Sequence, residues 1–440
     1  MVEYKGVMPD KSLQYIDAVK EKMSGMSPRG IADRTLSLVR THDDWRRNHC
    51  LNLNPSENAI SPGAQRLLDS DMAIRVTEGF VGAKHYPPER MNVYIDEIEA
   101  MLVNQVKQMF DCKYVEYRPL NNTMANAVVF FSLTKPGETI MSQSMRGGAN
   151  ASYHSSAVPG IRGLKVVDMA PTMDFRIDLD HLEKTAREMK PSWLVIGGGK
   201  ILFPYNLKVI REIADEVGAR IMYDAAHLGP LIAYDLWQKP LKEGADVMTT
   251  GTHKLMGGPI GGLVLTDDEE LARKIMAIVH PPFMQTRDQN KYASAVWALA
   301  EMMEYGEAYA RQIQVNSGTL GAELDNLGFN VMGKAGGYSL SHQVLVNIRG
   351  CGFGDIEKRF HDSNILLPVT TIMGDELAGT RSGLRISVQE ATRQGMNEKE
   401  MRQVAAFIRR VADGEGGDSL WREVEEFVEP YRELQYCFPI

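Results

Sequence analysis

The sequence has few cysteines and no long apolar run. Only four cysteines occur among the 440 residues, at Cys50, Cys112, Cys351 and Cys437. They are far apart and form no CxxC pair, which disfavours both a disulfide framework and a zinc site. We therefore expect separate, buried thiols in a reducing, cytoplasmic setting. No stretch of about 18 apolar residues occurs, so no membrane-spanning helix is expected.

An excess of positive charge is also missing. The 49 Lys and Arg residues are outnumbered by 57 Asp and Glu, which gives a formal net charge of −8. This balance argues against nucleic acid or an anionic membrane as a partner. Hydrophobic residues make up 44% and charged residues 24%, which excludes a disordered chain. The length suits a large domain accompanied by a small one.

Alternation of short apolar runs with amphipathic stretches predicts an α/β fold. The candidate strands are Tyr114–Tyr117, Thr139–Ser142, Leu164–Val167, Trp193–Ile196, Arg220–Tyr223, Val247–Thr250 and Gly262–Leu265. The helical stretches between them include Thr123–Leu133, Asp180–Met189 and Leu207–Val217. This pattern is typical of a mostly parallel sheet covered on both faces, with a ligand crevice at the carboxyl ends of its strands.

The organisation of the chain predicts four parts. Residues 1–48 form a helical arm with the cluster Trp45-Arg46-Arg47, expected to pack on another subunit or on the domain surface. Residues 49–288 form the large domain, and helices at 289–327 bridge to a small α+β domain at 328–440. The small domain contains the predicted strands Gln343–Ile348 and Leu384–Val388 and the predicted helices Asp355–Asp362 and Glu398–Val411.

Two predicted strands end in reactive residue types. One runs into Asp224 and His227, and the next ends in Thr250-Gly-Thr-His-Lys254. An acid and a lysine at neighbouring strand ends fit a pyridoxal phosphate site. There the lysine forms a Schiff base, and the carboxylate keeps the pyridine nitrogen protonated. Spacing alone leaves open an ordinary ion pair between Asp224 and Lys254.

These motifs resemble the serine hydroxymethyltransferases, a family of pyridoxal phosphate enzymes. The matching segments, in the family's order over about residues 50 to 410, are Ser56-Glu-Asn58, Glu78-Gly-Phe-Val-Gly82 with Tyr86, Tyr223-Asp-Ala-Ala-His227, Thr250–Lys254, Gly258–Gly262 and Arg385–Gly395. The resemblance implies a large domain with a mostly parallel seven-stranded sheet of the aspartate aminotransferase type and a smaller α+β C-terminal domain. It also implies a homodimer or homotetramer with shared active sites.

The resemblance assigns the cofactor's contacts to particular residues. Lys254 would carry pyridoxal phosphate, Asp224 would contact the pyridine nitrogen, and His227 would lie near the 3′ oxygen. The phosphate would bind at a helix start, where free N–H groups and the helix dipole favour an anion. The residues implied there are Asn121, Asn122, Thr123 and, from across a dimer interface, Gly262, and Thr252 is a further cofactor-binding residue.

The resemblance also assigns the substrate's contacts. Arg385 would clamp the carboxylate of an amino acid through two parallel hydrogen bonds, helped by Ser56. The acid–base candidates are Glu78, His85 and Tyr86. Glu78 fits equally well as an ordinary surface acid at a helix start.

Several positions depart from the family pattern. The family's ring-stacking histidine is missing, because Gly147-Gly148 is followed by Ala149, and His154 comes several residues late. Either His154 is recruited onto the ring, or something smaller covers it and leaves room for a larger substrate or for dioxygen. Lys200 lies where the family has a serine-containing loop, and Gly257 replaces an arginine.

The family's folate-contacting segment is replaced as well. The more apolar segment Asn364–Ile372 lies there, and its part Ile365–Pro368, together with Ile201–Pro204, suggests an acceptor less polar than folate. Two segments, His85–Asn92 and Ser341–Val344, are closer to the folate-independent threonine transaldolase branch of the family. Within the second, His342 fits equally well as an ordinary histidine at a strand edge.

These observations favour an aldol-type enzyme acting on β-hydroxy-α-amino acids and aldehydes. The chemistry would be that of a transaldolase, aldolase or hydroxymethyltransferase acting on threonine, serine or glycine. It would proceed through the Lys254 Schiff base and a glycine quinonoid, without folate. The alternative is a decarboxylase or oxygen-using oxidase of an elaborated amino acid on the same scaffold, suggested by Ala149 and Lys200. Aminotransfer or racemisation is less favoured. A non-catalytic role is less favoured still, because Lys254, Asp224 and Arg385 are all present.

Overall fold

The computed structural model describes residues 6–85, 92–375 and 381–440 and has an α/β architecture. Its main sheet has seven strands, and all seven were predicted with boundary differences of one or two residues. From one edge to the other the strands are Tyr114–Glu116, Gly262–Thr266, Val247–Gly251, Arg220–Asp224, Trp193–Gly197, Thr139–Gln143 and Lys165–Met169. Neighbours are parallel, except that Gly262–Thr266 is antiparallel to the strand on each side.

Helices cover both faces of this sheet, which explains why its central strands are buried. Trp193–Gly197 and Val247–Gly251 are buried at every position. The α-helices are Asp10–Met23, Pro28–Asn48, Pro62–Leu67, Val93–Phe110, Asn122–Leu133, Val158–Arg162, Leu179–Met189, Leu207–Val217, Gly229–Ala233, Glu269–Ile278, Gln289–Asn326, Ile356–Asp362, Gln389–Arg393, Glu398–Ala412 and Asp418–Val428.

A second sheet of four antiparallel strands carries the C-terminal part of the chain. Its strands, in spatial order, are Asn330–Val331, Gln343–Asn347, Gly383–Ser387 and Val369–Thr370. The 38-residue helix Gln289–Asn326 precedes it and packs against both Val93–Phe110 and Glu398–Ala412. The division at residues 48, 288 and 327 stays a prediction.

Two small pairings complete the strand set. Leu51–Asn52 pairs in parallel with Ile365–Leu366, and Gly79–Phe80 pairs with Ala83–Lys84 as a hairpin. The first pairing joins chain segments more than 300 residues apart. It places the start of the large domain beside the segment predicted to replace the folate contacts.

The arm before residue 49 forms two helices whose residues are exposed or half-buried. Only its end is anchored to the described chain, where Trp45 Nε1 donates to Asn364 Oδ1 at 2.9 Å and Arg46 pairs with Glu57. Apolar side chains of the earlier part, such as Tyr15 at 74% exposure, face away from this chain.

The expectation that all four cysteine thiols are buried is wrong for two of them. Cys50 and Cys112 are buried, whereas Cys351 is exposed and Cys437 is half-buried. Cys351 lies in the turn that follows strand Gln343–Asn347, where the chain runs over the surface. Within residues 6–85, 92–375 and 381–440, no helix is long and apolar enough to cross a bilayer, and no group of side chains has the make-up of a metal site.

Candidate active site

Asp224 lies at the carboxyl end of the central strand Arg220–Asp224 and has no exposed surface. Its carboxylate accepts hydrogen bonds from Asn122 Nδ2 at 3.0 and 3.2 Å, from Asn126 Nδ2 at 3.0 Å and from the backbone N–H of Ala226 at 2.9 Å. The hydroxyl of Tyr153 donates to the same group. These donors compensate the burial of a negative charge and hold the carboxylate in one orientation.

Lys254 follows the neighbouring strand Val247–Gly251 and has a left-handed backbone, with φ +54°. This conformation costs a non-glycine residue about 1–2 kcal/mol. The strain is held in place from outside, because Asn58 Nδ2 donates to the Lys254 carbonyl oxygen at 2.7 Å. Left-handed backbone at a buried lysine marks a functional position.

The amine of Lys254 is set up to react as a nucleophile. Burial lowers its pKa to about 8; nearby Asp224 counteracts this effect and the cation of Arg385 adds to it. A lysine of this pKa keeps a useful fraction of neutral amine at physiological pH, and neutral amine is the form that attacks an aldehyde.

A helix start lies beside the two strand ends. Asn121 caps the helix Asn122–Leu133 by accepting from the Met124 N–H at 2.9 Å, which leaves the first N–H groups of the helix for another acceptor. Gly262 comes so close that a Cβ there would overlap the Asn121 carbonyl oxygen. The hydroxyl of Thr252 donates to the carbonyl oxygen of Pro259 at 2.6 Å.

The residues expected at the phosphate differ in exposure and in the direction of their side chains. Asn121 and Thr123 are exposed at the helix start, whereas Asn122 is buried and turns its amide toward Asp224. The Oδ1 atom of Asn122 is buried and has no hydrogen-bond partner in the described chain. An unpartnered acceptor beside Asp224 leaves polar capacity for a bound molecule.

Together these groups fit pyridoxal phosphate. The buried carboxylate of Asp224 matches the cofactor's ring nitrogen, and the buried amine of Lys254, with its lowered pKa, matches the aldehyde. The helix start beside Gly262 matches the phosphate. When bound, the cofactor supplies an electron sink for a bond at the substrate's α-carbon.

Arg385 reaches the same crevice from the small sheet. Its Nε donates to Gln343 Oε1 at 3.0 Å, and its Nη2 donates to the Gly199 carbonyl oxygen and lies 3.2 Å from His227 Nε2. Burial lowers the pKa of this guanidinium to about 9. Since no described carboxylate forms an ion pair with it, a substrate carboxylate is the partner that would offset its burial.

His227 orients Arg385. The rings of His227 and His342 stack with centroids 5.3 Å apart, and His227 Nδ1 lies 3.2 Å from His342 Nε2. Burial, reinforced by the charges of Lys254 and Arg385, lowers the pKa of His227 well below its usual value. In the neutral ring, Nε2 accepts from Arg385 and Nδ1–H donates to His342, which assigns the tautomer from the hydrogen bonds.

The acid–base candidates and Ser56 have fewer contacts with the site than the residues above. Glu78 is half-buried and precedes the strand Gly79–Phe80, so the helix-start alternative is wrong for it. His85 is exposed and lies 3.0 Å from His280 through their Nε2 atoms, and Ser56 is exposed. In the described chain none of these three is hydrogen-bonded to Asp224, Lys254 or Arg385. Tyr86 lies outside the described residues.

The loop 147–154 contains the two residues considered in place of the stacking histidine. His154 is exposed and its Nδ1 lies 2.8 Å from Ser156 Oγ, so it is not recruited into the crevice. Ala149 is buried in the position after Gly148. The Gly148 carbonyl oxygen accepts from the N–H groups of Gly199 and Lys200 at 2.8 and 3.0 Å, which ties this loop to the Lys200 loop.

The apolar segment after Lys200 is used for packing. Ile201, Leu202 and Phe203 are at most 2% exposed, and Leu202 and Phe203 pack with Ile372 and Leu345. These side chains therefore offer no apolar surface to a ligand, and the inference of a less polar acceptor from this segment is wrong.

Gly257 has a clear structural partner. A Cβ at this position would overlap the guanidinium of Arg393, which is fully buried and pairs with Glu301 at 3.2 Å. Arg393 thus fills the space above Gly257 and leaves no room there for the arginine that the family pattern has.

Sequence reasoning missed three residues that hold the site. Asn126 and Tyr153 contact Asp224, and Asn58 holds the backbone of Lys254. Asn126 follows Asn122 by four positions on one helix, so their shared face was a usable signal. Tyr153 lies in a short turn, Ala151–Tyr153, whose local sequence gives no sign of its contact.

Comparison with known proteins gives a consistent result. The family model "Serine hydroxymethyltransferase" matches residues 31–408. Curated serine hydroxymethyltransferases are similar over nearly the whole chain. That of Methanocella arvoryzae is 38% identical over 395 residues, covering 89% of this chain and 92% of that protein. That of Pyrococcus furiosus is 37% identical over 424 residues, covering 94% and 98%.

The fold also matches a solved structure. The crystal structure of L-threonine transaldolase from Pseudomonas fluorescens in the internal aldimine state superposes with a TM-score of 0.85, at 23% identity and 96% coverage of both chains. At this identity the likeness establishes the shared fold. From the family match and the relatives, the chain belongs to the serine hydroxymethyltransferase family and is a pyridoxal phosphate-dependent enzyme that acts on amino acids.

Proposed function

We propose that the protein catalyses aldol-type cleavage and transfer on β-hydroxy-α-amino acids, with threonine, serine or glycine as the amino acid and without folate. The observation that carries the proposal is Arg385, a half-buried cation with no ion-paired carboxylate in the described chain, beside the lowered-pKa amine of Lys254. This pair suits a small α-amino acid, whose carboxylate and amino group are separated by one carbon.

In the proposed reaction Arg385 binds the substrate carboxylate and fixes its direction. Gln343 and His227 hold the guanidinium from two sides, so its orientation is set before the substrate arrives. Asp224 holds the cofactor's ring nitrogen. The proton of the substrate hydroxyl has to leave as the Cα–Cβ bond breaks, and Glu78 is the carboxylate we propose to accept it.

Relatives support this reaction class. The curated relatives are named serine hydroxymethyltransferases, and the structural neighbour is named an L-threonine transaldolase. Both names describe enzymes of β-hydroxy amino acids. Folate independence rests on the apolar sequence of Asn364–Ile372, which lies where the family has its folate-contacting segment.

A second candidate is a decarboxylase or oxygen-using oxidase on the same scaffold. The observation that favours it is the buried Ala149 together with the exposed His154, because a residue smaller than histidine would leave room above the ring of a bound cofactor. An open space of this kind admits dioxygen or a bulkier substrate.

The experiment that separates the two uses the holoenzyme with L-threonine, L-serine and glycine in turn, with and without tetrahydrofolate. Aldol chemistry predicts acetaldehyde and glycine from threonine in equal amounts, without folate. Oxygen consumption with carbon dioxide release, and neither acetaldehyde nor glycine, would instead support the second candidate. Cleavage of serine only in the presence of folate would overturn the proposed folate independence.

We also propose a cytoplasmic homodimer or homotetramer with shared active sites. The exposed apolar side chains of the arm, among them Tyr15 and Ile16, and the exposed Ile260 next to the Gly261-Gly262 turn are supporting observations. Sedimentation of the holoenzyme should give a mass of at least two chains. A monomer with full activity would contradict shared sites.

A further inference from the structure

Lys200 is a buried cation that the proposed reaction does not use. It is 7% exposed, and its amine has one hydrogen bond in the described chain, to the Met145 carbonyl oxygen at 3.4 Å, and no ion pair. A buried ammonium with one long hydrogen bond is costly unless an anion joins it. This amine therefore lacks a partner of opposite charge.

The position of Lys200 places it beside the substrate site. It follows Gly199, whose carbonyl oxygen accepts from Arg385 Nη2. Burial, with added repulsion from Arg385, lowers the pKa of Lys200 to about 8. Asp375 is the carboxylate that acts on Lys200, but its own oxygens already accept from Arg349 at 2.8 Å and from the N–H groups of Ile372 and Ser382.

The cofactor phosphate is not the missing anion. Lys200 follows strand Trp193–Gly197, on one side of the Asp224 strand. The helix start at Asn121 and the strand that begins at Gly262 lie on the other side, beyond the strand that leads to Lys254. Two neighbouring cations, Arg385 and Lys200, thus remain at the substrate's end of the crevice.

A cleft lies on the other side of Met145 from the residues that line the substrate site. Met145, the hydrogen-bond partner of Lys200, also lines a cleft of about 430 Å³. Arg146 lines the same cleft and has no ion pair within the described residues, while Asp168 is the carboxylate on its wall. Rigid backbone contacts between Gly148 and the Lys200 loop fix one side of this region.

We infer that Lys200 binds a second anionic group, a carboxylate or phosphate, on the side chain of the amino-acid substrate. The inference rests on the proposed function for the role of Arg385, which takes the α-carboxylate. It names the class of substrate: β-hydroxy-α-amino acids with an acidic side chain, whose cleavage releases an anionic aldehyde. A charge-assisted hydrogen bond to the side-chain anion supplies the selectivity.

The test compares pairs of ligands that differ only in side-chain charge and cannot undergo aldol cleavage. Dissociation constants of L-aspartate and L-asparagine, and of L-glutamate and L-glutamine, are measured from the absorbance change of the holoenzyme. O-phospho-L-threonine is the phosphate-bearing arm. Both members of a pair have the same α-carboxylate. The ratio of their dissociation constants therefore measures the contribution of the side-chain anion to binding.

For at least one acidic ligand we expect binding about 10- to 100-fold tighter than that of its neutral partner. Lys200→Met should abolish this preference, while Lys200→Arg keeps part of it. Lys184→Met, at an exposed site on helix Leu179–Met189, is the matched control and should leave the preference unchanged.

Three results would overturn the inference. They are equal binding within every pair in the wild type, a preference that persists in Lys200→Met, and an equal loss for acidic and neutral ligands in that variant. The last would assign Lys200 to the α-carboxylate. Aldehyde release from threonine is scored separately, so the proposed function can fail while the acidic preference stands, and the reverse.

Discussion

At the residue scale, Lys254 couples a strained backbone to a buried amine. Its pKa of about 8 lies below that of an ordinary lysine because burial disfavours the ammonium form. A lysine with a lowered pKa is protonated below that pH and neutral above it. The rate at which added pyridoxal phosphate attaches to the apoprotein should therefore rise about tenfold per pH unit up to about pH 8 and level off above it.

Two variants make this prediction specific. Lys254→Ala should abolish covalent attachment, measured as a mass increase after borohydride reduction, while Lys200→Met should retain it. Attachment that persists in Lys254→Ala would mean that another lysine carries the cofactor.

Tyr153 offers a second test at this scale, because its hydroxyl donates to the buried carboxylate of Asp224. Hydrogen bonds to charged groups contribute about 1.5–3 kcal/mol, and those to neutral groups about 0.5–1.5 kcal/mol. Tyr205 is the matched control, since it is also buried but donates to the neutral Gln143 Oε1 at 3.0 Å. Tyr153→Phe should therefore lower the unfolding free energy of the apoprotein more than Tyr205→Phe does. Equal losses in urea titrations would indicate that charge adds nothing to the Tyr153 contact.

At the scale of elements, the sequence predicts best where the physical signal is local. The strands ending at Asp224 and Gly251 each contain a short apolar run followed by polar residues, so their positions and those polar residues were predictable. The contact of Tyr153 with Asp224 joins residues 71 positions apart, and Arg393 fills the space at Gly257 from a distant helix. Neither contact has a local pattern, which is why the roles of Tyr153 and Arg393 could not be predicted, whereas Asn126 had a local signal in its spacing from Asn122.

The short helix Gln389–Arg393 shows the energetic side of such long-range contacts. It is buried at every position, and its Glu390 accepts from Asn52 Nδ2 at 2.8 Å. Burial raises the pKa of Glu390 to about 7, with nearby Arg46 acting in the opposite direction. The folded state therefore binds this proton more tightly than the unfolded state does.

The sign of the pH dependence follows directly. Between the ordinary glutamate pKa of 4.5 and about 7, this group makes the protein less stable as pH rises, by about 3 kcal/mol in total. Glu390→Gln should remove that slope and raise the unfolding free energy at pH 8, as measured by urea denaturation across the range. Glu188→Gln, at an exposed position, is the control. An unchanged slope in Glu390→Gln would show that another group is responsible.

At the scale of the whole molecule, the site joins the two sheets. Asp224 and Lys254 follow strands of the seven-stranded sheet, whereas Arg385 lies on strand Gly383–Ser387 of the four-stranded sheet. Arg385 is bound to the larger part through Gly199 and His227. A substrate held between Lys254 and Arg385 would add a further link between them.

Thermal unfolding measures this link. A ligand that binds only the folded state stabilises it by about 2.7 kcal/mol at 100 times its Kd, so pyridoxal phosphate should raise Tm and an amino acid should raise it further. Arg385→Lys loses the planar, two-pronged donor and should lose the second rise at the same ligand concentration while keeping the first. Arg381→Lys is the matched control, because Arg381 lies two residues before the same strand, Gly383–Ser387, is exposed and pairs with Glu357 at 2.8 Å. Loss of both rises in Arg385→Lys would mean that Arg385 chiefly holds the two sheets together, since a residue whose role is to bind the substrate carboxylate leaves cofactor binding intact.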